Sequence, residues 1–187
     1  PCSAMHKSLL TAGCGILLVL FANCKAQPYH TAERMPDREE TEILVGTANF
    51  DSLRTAPFGN WFQASVKSYE PDAEKAEQLE QLLRGVRITT FMGTWCKDSK
   101  REVPRFVKIL ETADYPVEEV EVIAMTRDKT TPQQYEAGMD IINVPTFIFY
   151  KDGQELGRIV EFPIEDLETD MVKILSGQPY KHAYDWD

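Results

Sequence analysis

Cysteine is scarce in the body of this chain. Three of its four cysteines, Cys2, Cys14 and Cys24, fall within the first 24 residues, and Cys96 alone follows them. A single thiol excludes an internal disulfide or a dithiol centre beyond residue 24. The sequence has three histidines and shows no metal-ligand spacing, phosphate-binding loop or Ser-His-Asp arrangement, so we expect no cofactor and no metal site.

Positive charge is also in short supply. Lysine and arginine number 20 against 30 aspartates and glutamates, which gives a net charge of −10. This balance disfavours nucleic acid and anionic lipid as partners, because both are polyanionic surfaces. The length of 187 residues with 43% hydrophobic and 27% charged content is typical of one soluble globular domain.

The first 26 residues have the pattern of an export signal. Met5, His6 and Lys7 form a short polar or basic head, and an uncharged apolar run follows at residues 15–22. This run is too short to span a membrane as a mature helix. Residues 1–4 precede the first methionine, and we leave them out of the fold prediction.

Three processing outcomes remain open for this leader. Cys24-Lys25-Ala26 fits a small-x-small signal peptidase site, with cleavage after Ala26, whereas residues 21–24 resemble a lipoprotein box that would place a lipid on Cys24. An uncleaved anchor helix is the third outcome. All three put the domain outside the cytoplasm, in the periplasm or anchored on the outer side of the envelope. If Cys24 is lipidated, that lipid is the membrane attachment of the mature protein.

Residues 27–41 are charged, contain Pro28 and Pro36 and have no apolar period, so they predict a disordered tether. The folded domain is expected at residues 42–187. The predicted elements are strands at 42–45, 86–92, 117–125, 146–150 and 155–162, and helical segments at 50–69, 72–84, 96–113, 132–138 and 165–175. This order predicts an α/β fold with a central mixed sheet, helices on both faces and an N-terminal helical extension.

Four local motifs carry a family resemblance. They are Trp95-Cys96 at the end of a strand, Pro104 eight residues beyond the cysteine, Val144-Pro145-Thr146, and Lys151-Asp152-Gly153. In this combination and order the chain resembles the thioredoxin family, and the fold class it implies is the thioredoxin fold. The resemblance covers most of residues 86–162.

The resemblance implies a role for each of these positions. Cys96 corresponds to the attacking thiol, and Pro145 to a cis-proline whose loop faces the sulfur. The backbone of Val144, with Pro145 and Thr146, would bind an extended substrate segment. Trp95 would pack beside the thiol and shield it.

Two positions depart from the family pattern. Ser99 stands where the second, resolving cysteine belongs, and a hydroxyl does not displace a disulfide, so turnover by dithiol reduction is excluded. Thr90 stands where many thioredoxins carry a buried aspartate that serves the second thiol. Ser99 either donates a hydrogen bond to the Cys96 thiolate or is a neutral remnant of lost chemistry, and the sequence leaves both readings open.

A cysteine at a helix start lies at the positive end of the helix dipole, which favours the thiolate. The sequence therefore predicts an exported monothiol protein that forms mixed disulfides through Cys96 in isomerisation or deglutathionylation. Its partners would be cysteine-containing proteins or low-molecular-weight thiols. The alternative is a non-catalytic peptide-binding or scaffolding module that keeps the thioredoxin cleft.

Overall fold

The structure is a computed structural model, and it describes residues 32–186. The predicted leader at residues 1–26, the candidate lipidation site Cys24 and the start of the predicted tether lie outside the described residues. Within them, no helix has the length and apolar character needed to cross a membrane.

The described chain forms a six-stranded sheet and five α-helices. In chain order the elements are β1 (Glu33–Pro36), β2 (Glu42–Ala48), α1 (Phe50–Leu53), α2 (Gly59–Ser68), α3 (Ala73–Leu82), β3 (Val86–Met92), α4 (Lys97–Thr112), β4 (Glu121–Ala124), β5 (Thr146–Lys151), β6 (Gln154–Val160) and α5 (Leu167–Leu175). A short 3-10 turn, Val117–Glu119, precedes β4. The predicted α/β class is confirmed, and α1 and α2 form the predicted N-terminal helical extension.

The sheet has the strand order β1-β2-β4-β3-β5-β6 and is mixed, as predicted. Strands β3 and β4 are parallel, and the other neighbouring pairs are antiparallel. The β5–β6 hairpin turns at Asp152 and Gly153, whose φ angles of 52° and 80° are both left-handed. Two successive left-handed residues match the twist of a two-residue hairpin, which is why Asp-Gly predicted this turn.

The main core lies on one face of the sheet. Phe106 of α4 stacks on Phe147 of β5 with ring centroids 4.1 Å apart, and Leu79 of α3 and Met171 of α5 are fully buried in the same cluster. Helices α1 and α2 add Phe50 and Phe62 to it. All five helices pack on this face, so the expectation of helices on both faces is wrong.

The second face is covered by a connecting segment instead of a helix. Residues 126–143 fold as turns, and the helix predicted at 132–138 is absent there. Gln134 and Gly138 have left-handed φ angles of 57° and 73°, which interrupt a right-handed helix. Tyr135 and Met139 of this segment pack on a small cluster that includes Phe91 and Ile123.

The prediction of a disordered tether is wrong for residues 33–36. They form β1, which pairs with β2 in the register Glu33↔Val45 to Pro36↔Glu42. All four residues are exposed and carry no alternating apolar pattern, so the pairing is invisible in the sequence. Pro36 is tolerated because β1 is an edge strand.

Candidate active site around Cys96

Cys96 lies at the junction between the central strand β3 and helix α4. It is the N-cap residue of α4, its backbone is extended (φ −81°, ψ 130°), and its side chain is half-buried. The Cys96 N–H donates to the carbonyl of Gly93 at 3.0 Å, and the Cys96 carbonyl accepts from the N–H of Lys100 at 3.0 Å. Two backbone hydrogen bonds therefore fix the position from which the sulfur projects.

The sulfur of Cys96 faces the loop that contains Pro145. Its thiol donates to the carbonyl oxygen of Val144, with Sγ and O separated by 3.2 Å. The Val144–Pro145 peptide bond is cis. Among the described residues, no group accepts a hydrogen bond from the N–H of Val144. The site thus joins one thiol to a backbone segment with an unused donor, 48 residues further along the chain.

Trp95 packs beside the thiol and closes one side of the site. Its indole Nε1 donates to the carbonyl of Met125 at 2.9 Å. A Cβ atom on Gly93 would lie 2.6 Å from the indole ring, so only glycine fits under this tryptophan. The indole ring therefore packs on the backbone of Gly93 and is fixed at its edge by the hydrogen bond to Met125.

Arg127 lies over the Trp95 ring. Its guanidinium carbon lies 5.3 Å from the ring centroid, which is within cation–π distance. Asp37 fixes the guanidinium with two hydrogen bonds, from Nη2 at 2.7 Å and from Nε at 2.9 Å. Hydrogen bonding from Arg127 lowers the pKa of the Asp37 carboxyl far below its ordinary value.

The turn between β1 and β2, residues 37–41, therefore borders the site. Besides Asp37, it contributes Glu40, whose Oε1 accepts from Nζ of Lys100 in the first turns of α4 at 2.7 Å. Asp37, Glu40 and Arg127 were not predicted from the sequence. Their charges lie in segments without periodicity, and the pairs Asp37–Arg127 and Glu40–Lys100 are 90 and 60 residues apart in the chain, so no local pattern could indicate them.

Two of the predicted site residues are fully buried. Ser99 has no exposed surface, and its Oγ accepts from the backbone N–H of Gly93 at 3.2 Å. The thiol of Cys96 makes its hydrogen bond to the carbonyl oxygen of Val144 and not to Ser99. Thr146 is also fully buried, and its hydroxyl donates to the carbonyl of Asn143 at 2.6 Å. Both hydroxyls brace the backbone of the two segments that meet at the thiol.

Two buried polar atoms near this region have no partner in the described part of the chain. One is Oγ1 of Thr90, the position where the family resemblance had placed an aspartate, and the other is Oε2 of Glu102 on α4. The other oxygen of Glu102 pairs with Arg101 and lies 3.5 Å from Nη1 of Arg105. No group of three or more metal-binding side chains occurs within residues 32–186.

A cysteine at the start of the helix that follows a central strand, facing a prolyl loop, is the arrangement of the thioredoxin-fold class. The family model for thioredoxin matches residues 60–173, which is more than half of the chain. The chain therefore belongs to the thioredoxin family.

Individual relatives agree with this assignment. A thioredoxin-like protein of Acanthamoeba polyphaga mimivirus is 30% identical over 90 residues, which are 48% of this chain and 63% of that protein. A thioredoxin of Arabidopsis thaliana is 25% identical over 140 residues, 73% of this chain and 93% of that protein. A Staphylococcus aureus thioredoxin is 31% identical over 85 residues, 44% and 76% of the two chains. The match thus spans somewhat less than two-thirds of the mimiviral protein.

A structural comparison supports the fold alone. A Pseudomonas aeruginosa protein of unknown function superposes with a TM-score of 0.51 at 16% sequence identity, covering 71% of this chain and 93% of the other. The family match and the structural comparison therefore agree on the fold.

Proposed function

We propose that this protein is an exported monothiol member of the thioredoxin family that forms mixed disulfides through Cys96. The observation that carries the proposal is the contact between the Cys96 sulfur and the Val144 carbonyl, 3.2 Å apart, in a site with no second thiol among the described residues. Its substrates are the disulfides of proteins or of low-molecular-weight thiols.

The reaction is an exchange in which the number of disulfide bonds is unchanged. The Cys96 thiol first loses its proton, and its thiolate then attacks one sulfur of a substrate disulfide. A bond forms between the two sulfurs, the substrate S–S bond breaks, and the second substrate sulfur leaves as a thiolate that is protonated by solvent. Because Ser99 cannot displace the mixed disulfide, an external thiol or another cysteine of the substrate releases the protein.

The loop around Val144 gives this reaction a docking edge. The N–H of Val144 is without an acceptor in residues 32–186 and lies next to the carbonyl that contacts the sulfur. An extended peptide has backbone carbonyls that this N–H can bind, as in strand addition to a sheet edge. An extended protein segment with a disulfide is therefore a better substrate in this proposal than a small disulfide.

Export is part of the same proposal. It rests on the basic head and the apolar run at residues 15–22 of the sequence. In the periplasm or on the outer side of the envelope, the mature chain would meet disulfide-bonded proteins, which are rare in the cytoplasm. A lipid on Cys24 would hold it at the membrane. Mass spectrometry of the mature N-terminus distinguishes cleavage after Ala26 from lipidation of Cys24.

The decisive experiment is covalent capture with a matched control. Purified protein, with Cys2, Cys14 and Cys24 replaced by serine so that Cys96 is its single thiol, is incubated with an extended peptide that contains a disulfide, quenched with acid, and analysed by intact-mass spectrometry. The expected result is an adduct on wild type that is removed by an external thiol, with no adduct on Cys96→Ala. An equal recovery of adduct on both proteins, or none on wild type, overturns the proposal.

The same samples test the alternative of a peptide-binding module without sulfur chemistry. Its support is that the Cys96 thiol already donates a hydrogen bond to the Val144 carbonyl within the folded chain. If the peptide binds wild type and Cys96→Ala with the same affinity and forms no adduct, the module is the correct function.

A further inference from the structure

The residues that follow α5 fold back on α5 and on the residues directly after β6. Two tyrosines of this C-terminal segment, residues 178–186, bind carboxylates, one on α5 and one directly after β6. Tyr180 donates from its hydroxyl to Oδ2 of Asp170 at 2.9 Å, and Tyr184 donates to Oε2 of Glu161. The Tyr184 ring also contacts Phe162 edge to face, with centroids 6.3 Å apart.

Glu161 connects this segment to the prolyl loop. Its backbone N–H donates to the carbonyl of Pro145 at 2.7 Å, and its Oε2 accepts from Nδ2 of Asn143 at 3.2 Å. Its φ angle of 66° is left-handed, a conformation that few residues other than glycine adopt. A glutamate is therefore kept at a backbone position that costs it energy, while one oxygen of its carboxylate, Oε2, accepts two hydrogen bonds.

Asn143 connects Glu161 to the loop that contacts the Cys96 sulfur. Its side-chain Oδ1 accepts from Nζ of Lys129 at 3.0 Å, and its carbonyl accepts from the hydroxyl of Thr146 at 2.6 Å. The next residue is Val144, whose carbonyl contacts the Cys96 thiol. The loop from Asn143 to Thr146 is thus held on one side by Lys129 and on the other by Glu161.

We propose that Glu161 is a positioning residue that holds Asn143 and the Val144–Pro145 loop against the Cys96 sulfur, and that Tyr184 holds Glu161. The inference deepens the proposed function, because the loop that Glu161 braces is the docking edge for the substrate segment. Glu161 acts through hydrogen bonds and does not itself touch the reacting sulfurs.

The hydrogen bonds, and not the charge of Glu161, carry this role. Charges of both signs face the carboxylate, with Asp98 and Arg101 on α4 and Lys129 on the β4–β5 connection. Both hydrogen bonds reach the same oxygen atom, Oε2. A glutamine at this position offers one carbonyl oxygen that accepts both, whereas an alanine offers none.

The test compares four variants of the full chain. Glu161→Ala and Tyr184→Phe remove the bracing hydrogen bonds, Glu161→Gln retains an acceptor, and Tyr180→Phe removes an equivalent hydroxyl of the same segment from Asp170. Two rates are measured for each on the peptide that contains Cys96, because the full chain also has Cys2, Cys14 and Cys24. They are the rate of mixed-disulfide formation with an extended peptide disulfide and the rate of alkylation by iodoacetamide, which needs no docking edge.

Glu161→Ala and Tyr184→Phe are expected to slow the peptide reaction by about two- to tenfold, the effect of one or two hydrogen bonds, with alkylation unchanged. Glu161→Gln and Tyr180→Phe are expected to react like wild type. Equal losses in Tyr180→Phe and Tyr184→Phe, a loss in Glu161→Gln as large as in Glu161→Ala, or wild-type rates in all four variants overturn the inference.

A second measurement tests the positioning role of Glu161 without requiring that the protein form mixed disulfides. Amide hydrogen exchange is followed by mass spectrometry in peptides that cover Asn143 to Thr146. Faster exchange there in Glu161→Ala and Tyr184→Phe, but not in Glu161→Gln or Tyr180→Phe, supports the positioning role even if wild type forms no mixed disulfide. Unchanged exchange in all four variants contradicts it.

Discussion

Arg127 lies over the indole ring of Trp95, 5.3 Å from the ring centroid, and Asp37 holds its guanidinium there. The residue that precedes the thiol is therefore fixed by a side chain 32 positions later, which is in turn fixed by the β1–β2 turn near the start of the described chain. Asp37 lies in the segment predicted as a tether, and Arg127 lies in the connection between β4 and β5. These two segments therefore meet beside Trp95.

Removing this contact is expected to expose Trp95. The chain has three tryptophans, so the measurement uses a Trp61→Phe and Trp186→Phe background in which Trp95 is the single emitter. Arg127→Ala should shift its fluorescence to longer wavelength and increase quenching by acrylamide, because water replaces the guanidinium on the ring face. Arg127→Lys keeps the cation and loses the two-point pair with Asp37, so an intermediate shift is expected. Identical spectra in all three proteins would refute the contact.

Asp37 should make the fold sensitive to acid. Hydrogen bonds from Arg127 and from the N–H groups of Glu39 and Glu40 hold its pKa below the ordinary 3.8, so the folded state binds the proton less tightly than the unfolded state. Its contribution to stability is present above pH 3.8 and is lost as the pH falls toward the lower folded-state pKa. The thermal midpoint of wild type should therefore fall more steeply below pH 4 than that of Asp37→Asn. Parallel curves for the two proteins would show that Asp37 contributes nothing to acid sensitivity.

Restoring a second thiol should change the type of reaction. In Ser99→Cys, a cysteine three residues after Cys96 on the first turn of α4 can displace the mixed disulfide, and we expect reduction of insulin disulfides with dithiothreitol as donor. The control is Ser99→Ala, which should be inactive. It should also be destabilised by about 1–3 kcal/mol, because the buried N–H of Gly93 loses its acceptor. A folded Ser99→Cys protein without reductase activity would favour the peptide-binding module.

The stability of the protein should depend strongly on Phe106, in the core on the helical face of the sheet. This ring is fully buried between Phe147 and Phe149, at centroid distances of 4.1 and 6.1 Å. Phe106→Ala should lower the free energy of unfolding by about 3–5 kcal/mol, since it leaves a cavity that rigid neighbours cannot fill. Leu156→Ala, at a side chain that is 40% exposed, should change it by less than about 1 kcal/mol in the same urea titration. A loss of stability in Phe106→Ala as small as the one in Leu156→Ala would place Phe106 outside the cooperative core.

Local patterns in the sequence were enough to predict most elements. Asp72 caps α3 through the N–H of Lys75 at 3.0 Å, and Asp152-Gly153 forms the hairpin, because caps and turns are decided by residues three or four positions apart. The helix predicted at residues 132–138 failed for a related reason. The hydroxyl of Thr131 accepts from the N–H of Tyr135 and donates to the carboxylate of Glu136, in a turn that competes with a helix.

The sequence by itself determined that one thiol follows the central strand, that no resolving cysteine stands at position 99, and that a Val-Pro-Thr loop lies further along the chain. Only the tertiary structure decided what surrounds that thiol. Asp37, Arg127, Glu161 and Tyr184 come from four segments far apart in the chain, and their contacts depend on strand order and on the return of the C-terminal segment. Hydrogen bonds and ion pairs act over a few ångströms in space, whereas sequence patterns record neighbours along the chain, so these partners could be found only after folding.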